Sequence, residues 1–231
     1  MKPPQSFDGT SKRAPFAGPS AGRSAHNNQA MKISLFPLDV VLFPGEALPL
    51  HIFEDRYKEM IGECLANGTR FGVVRAQQEG LAVIGCTAPI AHVMRRYDDG
   101  RLDILCQGEA RFEIEMLENA RTFLEAEVTF FEDDGPAAPR ALREECAALH
   151  FEALELAGLE MKAMNISLDE PISFKLAASL PSDLGFKQQI LGLRSDAERS
   201  RRLRDFYHAV LPKLRMGAFT AKTSIQNGHV M

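Results

Sequence analysis

The sequence predicts an α+β protein: a β-rich module carrying one helix, followed by a helical module. Three observations carry that prediction. From Met31 to Phe131, short apolar runs rich in β-branched and aromatic residues are punctuated by Pro, Gly and Asp-Gly. From Leu142 onward, apolar residues recur at helical spacing. Between the two lies Glu132-Asp133-Asp134-Gly135-Pro136-Ala137-Ala138-Pro139, which has the chemistry of a linker.

The first β-type runs are Ile33 to Phe36, Val40 to Phe43, and Ala47 to Phe53 after a Pro44-Gly45 turn. Pro49 inside the last of these predicts an edge strand or a bulge, because proline cannot donate to a ladder. The period then changes. Tyr57, Met60, Ile61, Cys64 and Leu65 fall on one face of a helix, with Glu54 and Asp55 at its positive end and Asn67-Gly68 as its stop. Strands return at 71–74, 81–93 and 102–106. Asp98-Asp99-Gly100 marks a hairpin, since Asp-Gly tolerates the positive φ of tight turns. Gln107-Gly108 predicts a turn or bulge. Phe112, Ile114 and Met116 alternate with Glu113 and Glu115 as in a half-buried strand, and 123–131 supplies one more.

In the helical module Leu142, Cys146, Leu149, Ala153, Leu156 and Ala157 form one stripe. A shorter helix over 172–180 ends at Pro181, and Ser182 can cap the next. Asp196 opens the last helix, striped by Leu203, Phe206, Tyr207, Val210, Leu211 and Leu214. The domain layout is a tail over 1–30, a β module over 31–134, a helical module over 137–215 and a frayed end over 216–231. The 1–30 stretch is rich in Pro, Gly, Ser and Ala, with Phe7 and Phe16 as its large apolar residues, so it reads as disordered. Either Met31 is the true translation start or a loose tail precedes the domain.

Composition removes several function classes. The 231 residues are 45% apolar and 25% charged, as in an ordinary globular protein. No apolar run approaches the roughly 18 residues of a membrane span. A net charge of −4 argues against non-specific nucleic-acid binding, which needs excess Lys and Arg against phosphate. Cys64, Cys86, Cys106 and Cys146 are too scattered for a zinc cluster or a redox pair, and read as buried thiols of a cytoplasmic protein.

The catalytic motifs give little. Gly18-Pro19-Ser20-Ala21-Gly22 matches GxSxG but has no strand before it to form a nucleophile elbow. P-loop, GxGxxG and HExxH patterns are absent. His51 with Glu54 and Asp55 lacks a second His at ligand spacing, so no metal site is expected. Arg199, Arg201, Arg202 and Arg204 alternate with Asp196, Glu198 and Asp205, the pattern of a solvated helix face.

One ordered array of motifs is more specific. The run Phe36-Pro37-Leu38-Asp39-Val40-Val41-Leu42-Phe43-Pro44-Gly45 is followed by Leu48-Pro49-Leu50-His51-Ile52-Phe53-Glu54 and Arg56-Tyr57. It resembles the start of the N-terminal domain of Lon proteases, and most of all the stand-alone Lon-domain proteins of bacteria. Val83-Ile84-Gly85-Cys86, Asp99-Gly100-Arg101, and Gly108 followed by Arg111-Phe112 continue the match. So do Leu180-Pro181, Lys187-Gln188, Ile190-Leu191 and Arg201-Arg202-Leu203. The resemblance covers about 31–215. It implies a PUA-like β pseudo-barrel with one helix, then a C-terminal helical bundle.

The resemblance also implies a role. In full-length Lon proteases this region helps recognise unfolded or tagged protein substrates and supports assembly, whereas the ATPase and Ser–Lys protease occupy later domains. The expectation is therefore a non-catalytic protein-binding module with no cofactor, whose partners are protein segments and a protease system. Ser20 inherits no nucleophile role, because its string precedes the Lon-like module and the family's protease domain follows it. A groove around Phe43, Pro44, His51 and Phe53 is the expected peptide-binding site, against the competing reading that these are core and turn residues. RNA binding, by analogy with other PUA-like barrels, and peptide hydrolysis through Ser20 are the alternatives.

Overall fold

The computed structural model describes residues 30–159 and 166–227, with side chains through 217. The 1–29 stretch, Ser20 included, lies outside the described residues. The strands are β1 (Met31–Leu38), β2 (Ala47–Ile52), β3 (Phe71–Gln77), β4 (Gly80–Leu81), β5 (Ile84–Ala88), β6 (Ile90–Arg96), β7 (Leu102–Gln107), β8 (Arg111–Glu118) and β9 (Leu124–Phe131). Helix α1 (Asp55–Asn67) lies between β2 and β3. Helices α2 (Arg140–Leu156), α3 (Ser173–Ser179), α4 (Leu184–Gly192) and α5 (Asp196–Asn227) follow the strands.

β1, β9, β8, β5 and β3 pair in that order, and β3 returns to β1 in parallel, Leu35 opposite Gly72, so the sheet closes into a barrel. Its interior holds Ile33, Leu35, Val74, Phe112, Ala126 and Val128. The Phe112 ring takes the space that two glycines leave open. A Cβ on Gly72 or Gly85 would come within 2.6 or 2.5 Å of its Cζ. A second sheet, β2-β7-β6, stands beside the barrel. Its inner residues Ile52, Leu102, Ile104 and Cys106 pack with Phe36, Phe71 and the buried stripe Tyr57, Met60, Ile61 and Cys64 of α1. Gly68, at φ 63°, ends α1 as expected.

Five local expectations change. The run 40–43 is not a strand: Val41 and Phe43 leave the sheet and enter the helical core with Leu176, Leu203 and Tyr207. The 81–93 run divides into β4, β5 and β6, with Pro89 at the junction where the chain passes from one sheet to the other. A register shift between Ile114 and Met116 interrupts the alternation of β8 and leaves Met116 exposed. α5 continues to Asn227, past the 215 boundary its apolar stripe suggested, and Asp183 rather than Ser182 caps α4 by accepting from the Phe186 N–H at 2.9 Å.

The β module is fastened at two points, the first between its own loops and the second to the helices. Gly45, at φ 80°, donates its N–H to the Gly108 carbonyl at 2.8 Å, and the Gly108 N–H donates to the Glu46 carbonyl at 2.8 Å. A side chain on Gly108 would collide with the Phe43 carbonyl. The second lock is a buried charge cluster. Arg111 of β8 donates to the carbonyls of Leu191 (3.0 Å) and Leu193 (2.6 Å) and to Asp133 Oδ1 (2.5 Å). Arg199 of α5, 1% exposed, donates to Asp133 Oδ1 at 2.6 Å and to Ser173 Oγ at 2.9 Å. It also pairs with Asp133 Oδ2. Asp196, also buried, accepts from the Ala138 N–H and from Ser173 Oγ, both at 2.7 Å. The solvated arginine face expected over 199–204 is thus wrong for Arg199, which turns inward across the linker segment.

The bundle core holds a neutral chain of hydrogen bonds. The Tyr207 hydroxyl donates to His150 Nδ1 at 2.8 Å, His150 Nε2 reaches Ser179 Oγ at 3.2 Å, and that hydroxyl donates to the helix carbonyls of Lys175 and Leu176. Burial lowers the His150 pKa to about 4.

Two predictions follow from this packing. Unfolded, His150 takes a proton near pH 6.5, but folded only near pH 4. Its contribution is therefore intact above pH 6.5 and is lost as pH falls toward 4, in total ~3 kcal/mol. Urea unfolding across that range will show a slope that His150→Gln flattens. Asp133→Asn leaves two arginines without their shared carboxylate and will cost about 3–5 kcal/mol in the same assay at pH 7.

Candidate functional site

The sheet β2-β7-β6 has one face in the core and one in solvent, so alternate residues of each strand project outward. Across the three strands the register sets His51 opposite Asp103 and Asp103 opposite Arg95, with Pro49, Leu105 and His92 in the row beside it. Asp103 fixes two rings. His51 Nδ1 donates to its Oδ1 at 2.5 Å, and the Tyr97 hydroxyl donates to its Oδ2 at 2.8 Å. Those two bonds, the His51 one first, hold the Asp103 carboxyl below the usual carboxylate range. The Tyr97 hydroxyl is pushed up by the same bond.

Further rings and cations extend the patch. Phe53 stacks on His51, centroids 6.0 Å apart, and Tyr97 meets His51 edge-on at 5.8 Å. Arg95 and Arg101 lie over the Tyr97 ring at 4.5 and 4.9 Å. Phe53 is 60% exposed and Met94 54% exposed. Met94 falls at one of two register shifts in β6, between Val93 and Arg95.

Both edges of this sheet are blunted. β2 carries Pro49 at mid-strand, and β6 is broken by register shifts between Ile90 and His92 and between Val93 and Arg95. Such features discourage the addition of another strand. Any ligand recognised here meets the face.

The four residues expected to form a groove do not meet. His51 and Phe53 share the exposed face. Phe43 is fully buried against Phe174, ring centroids 5.7 Å apart, so it offers no surface to a ligand and belongs to the core. Pro44 lines a separate cleft of about 470 Å³ with Arg70, Glu109, Arg111, Phe130 and Phe174. The whole of β2 lies between Pro44 and Phe53, a span of roughly 20 Å. Sequence reasoning missed Asp103 and Tyr97. The Asp-Gly hairpin was the available signal, because it places 97 and 103 on facing strands.

Other clusters are arranged for packing. His51 turns to Asp103, while Glu54 pairs with Arg56 and Asp55 with Lys58. Among the described residues no group of three or more His, Cys, Asp or Glu gathers as for a metal ion. Ser179 and His150 are not set as nucleophile and base. The Ser179 hydroxyl proton is directed at the Lys175 and Leu176 carbonyls, so Nε2 faces Ser179 as a donor and Nδ1 accepts from Tyr207. All four thiols are buried, and burial pushes Cys86 and Cys106 up to about 12 and Cys146 to about 11, which keeps them protonated.

A family model, the ATP-dependent protease La (LON) substrate-binding domain, matches residues 32–208. The chain belongs to the Lon substrate-binding domain family. Among curated relatives it is 28% identical over 197 residues to the Lon protease of Parabacteroides distasonis, covering 74% of this chain and 23% of that protein. With the Lon protease of Flavobacterium johnsoniae it shares 27% over 143 residues, covering 57% and 17%. The chain thus spans about a quarter or less of the length of these Lon proteases.

Solved Lon N-terminal domains share the fold. The Lon N-terminal domain protein from Xanthomonas campestris matches with a TM-score of 0.62 at 24% identity, covering 75% of this chain and 96% of its own. The N-terminal domain of the Mycobacterium avium complex Lon protease matches at 0.56 and 20%, covering 77% and 98%. Within this Lon-family chain, the motif residues Pro44, Gly45, Gly108, Arg111 and Phe112 sit at the barrel–bundle junction and in the barrel interior.

Asp103 organises the exposed face without supporting the core. Asp103→Ala will leave the thermal midpoint within the range of ordinary surface substitutions. NMR will show the His51 and Tyr97 ring signals moving toward averaged, solvent-exposed values.

Proposed function

We propose that this protein recognises segments of other proteins, unfolded or specific, for a protease system in the cytoplasm, and that it acts by binding rather than by chemistry. The observation that carries the reading is the outer face of the β2-β7-β6 sheet. Phe53 is exposed there, stacked on a His51–Tyr97 pair held by Asp103. A large ring left in solvent on an ordered aromatic and polar platform has the character of an interface anchor.

Two further features support it. Aromatic rings present contact area at little entropic cost. The blunted edges keep the sheet from joining other strands indiscriminately while leaving the face open. The family's substrate-binding description and the Lon proteases among its relatives agree with this role.

The test is capture of a reduced, permanently unfolded model protein on immobilised protein, followed by crosslinking. Wild type will retain the unfolded form and not its native counterpart. Phe53→Ser will reduce retention several-fold with no change in thermal midpoint. Absence of capture at accessible concentrations, or capture untouched by Phe53→Ser, would refute this assignment.

A further inference from the structure

Arg95 is held in place and makes no close ion pair, acting on Asp103 only at longer range. Its guanidinium lies 4.5 Å over the Tyr97 ring, and its strand register sets it opposite Asp103. Both Asp103 oxygens are already engaged by His51 and Tyr97. Among the described residues no carboxylate lies within ion-pair distance of Arg95 or of its neighbour Arg96. The nearby cations are occupied differently: Arg101 pairs with Asp99, Arg56 with Glu54 and Lys58 with Asp55. A guanidinium offers five N–H donors in a rigid fork that fits a carboxylate edge. Stacking on Tyr97 fixes the plane of that fork in advance, so less freedom is lost when a partner arrives.

The spacing on this face defines the partner. His51, Asp103 and Arg95 form a row across three strands. Adjacent strands are ~4.8 Å apart, so the row spans about 10 Å. An extended peptide advances ~3.3 Å per residue, so the same span corresponds to about three residues.

We propose that this face selects segments in which a large apolar side chain and an Asp or Glu side chain stand about three residues apart. The carboxylate pairs with Arg95, and the apolar group rests on Phe53 and the His51 ring. This inference rests on the protein-binding reading of the face and adds the chemistry of what it selects. A nucleic acid fits the same surface less well. Asp103 lies at its centre, its carboxylate exposed to the row and held by His51 and Tyr97. One unpaired guanidinium can match one carboxylate, but a polyphosphate strand relies on neutralising many charges.

The test uses dye-labelled decapeptides capped at both ends, so that no terminal carboxylate competes. One carries Phe and Glu three residues apart, a second Gln in place of Glu, a third Lys, and a fourth Glu with Phe replaced by Ser. Fluorescence anisotropy with the full chain at low salt will show the Phe/Glu peptide binding about three- to tenfold tighter than the Gln peptide, with the Lys peptide weakest. The preference for Glu over Gln will disappear in Arg95→Gln, while Phe53→Ser will weaken the Glu and Gln peptides alike. Equal binding of the Glu and Gln peptides, or a preference surviving Arg95→Gln, would overturn the selectivity and leave the protein-binding reading standing. Failure of every peptide at millimolar concentration would overturn both. Steeply salt-dependent binding of oligouridine in preference to the peptides would assign the face to RNA instead.

Discussion

One carboxylate holds this protein together as a unit. Asp133, in the segment between strands and helices, accepts from Arg111 of the barrel and Arg199 of the last helix. Neither arginine can be withdrawn alone, because each would leave a charge largely removed from solvent without its partner. Arg111 also donates to two carbonyls that close α4, and Phe174 is flanked by both guanidinium groups, Arg199 at 3.9 Å and Arg111 at 5.1 Å. A stretch with the composition of a tether thus becomes the junction. Its contribution lies in specifying one orientation of the two modules, since well-packed apolar groups of the same volume could match it in stability.

With the junction fixed, the rest of the barrel is committed to packing and the smaller sheet is left for contact with other molecules. The five-stranded closure removes the edges of the larger sheet, and Phe112 fills its interior over two glycines. Sheet β2-β7-β6 has no such closure. It keeps its edges quiet with Pro49 and two register shifts in β6, and keeps its outer face ordered through Asp103. A rigid face of rings and cations, carried on strands rather than loops, is a geometry suited to selecting partners by shape and charge.

Much of the fold was legible because it follows from local pattern. The α1 stripe, the Asn67-Gly68 stop, the Asp99-Gly100 hairpin and the opening of α5 at Asp196 all stand where periodicity and turn chemistry placed them. The resemblance carried by the Phe43-Pro44-Gly45 and Gly108…Arg111-Phe112 motifs agrees with the family. The site was less legible. His51 and Phe53 share one exposed face, but they were grouped with Phe43, a Phe that reads in sequence like any exposed one. Arg199 was taken for surface because it alternates with acids, and a helical period says which residues share a face without saying what that face meets.

The sequence by itself determined the order of elements, the turns and the separation into strand-rich and helical modules. Those depend on backbone preferences and on spacing within a dozen residues. Only the tertiary structure decided that Phe43 enters the helical core, that Asp133 joins Arg111 to Arg199, and that His51, Tyr97, Asp103 and Arg95 make one face. Those outcomes depend on registers and contacts between distant segments, where burial and pairing set the role of a charge or a ring, and no local pattern encodes them.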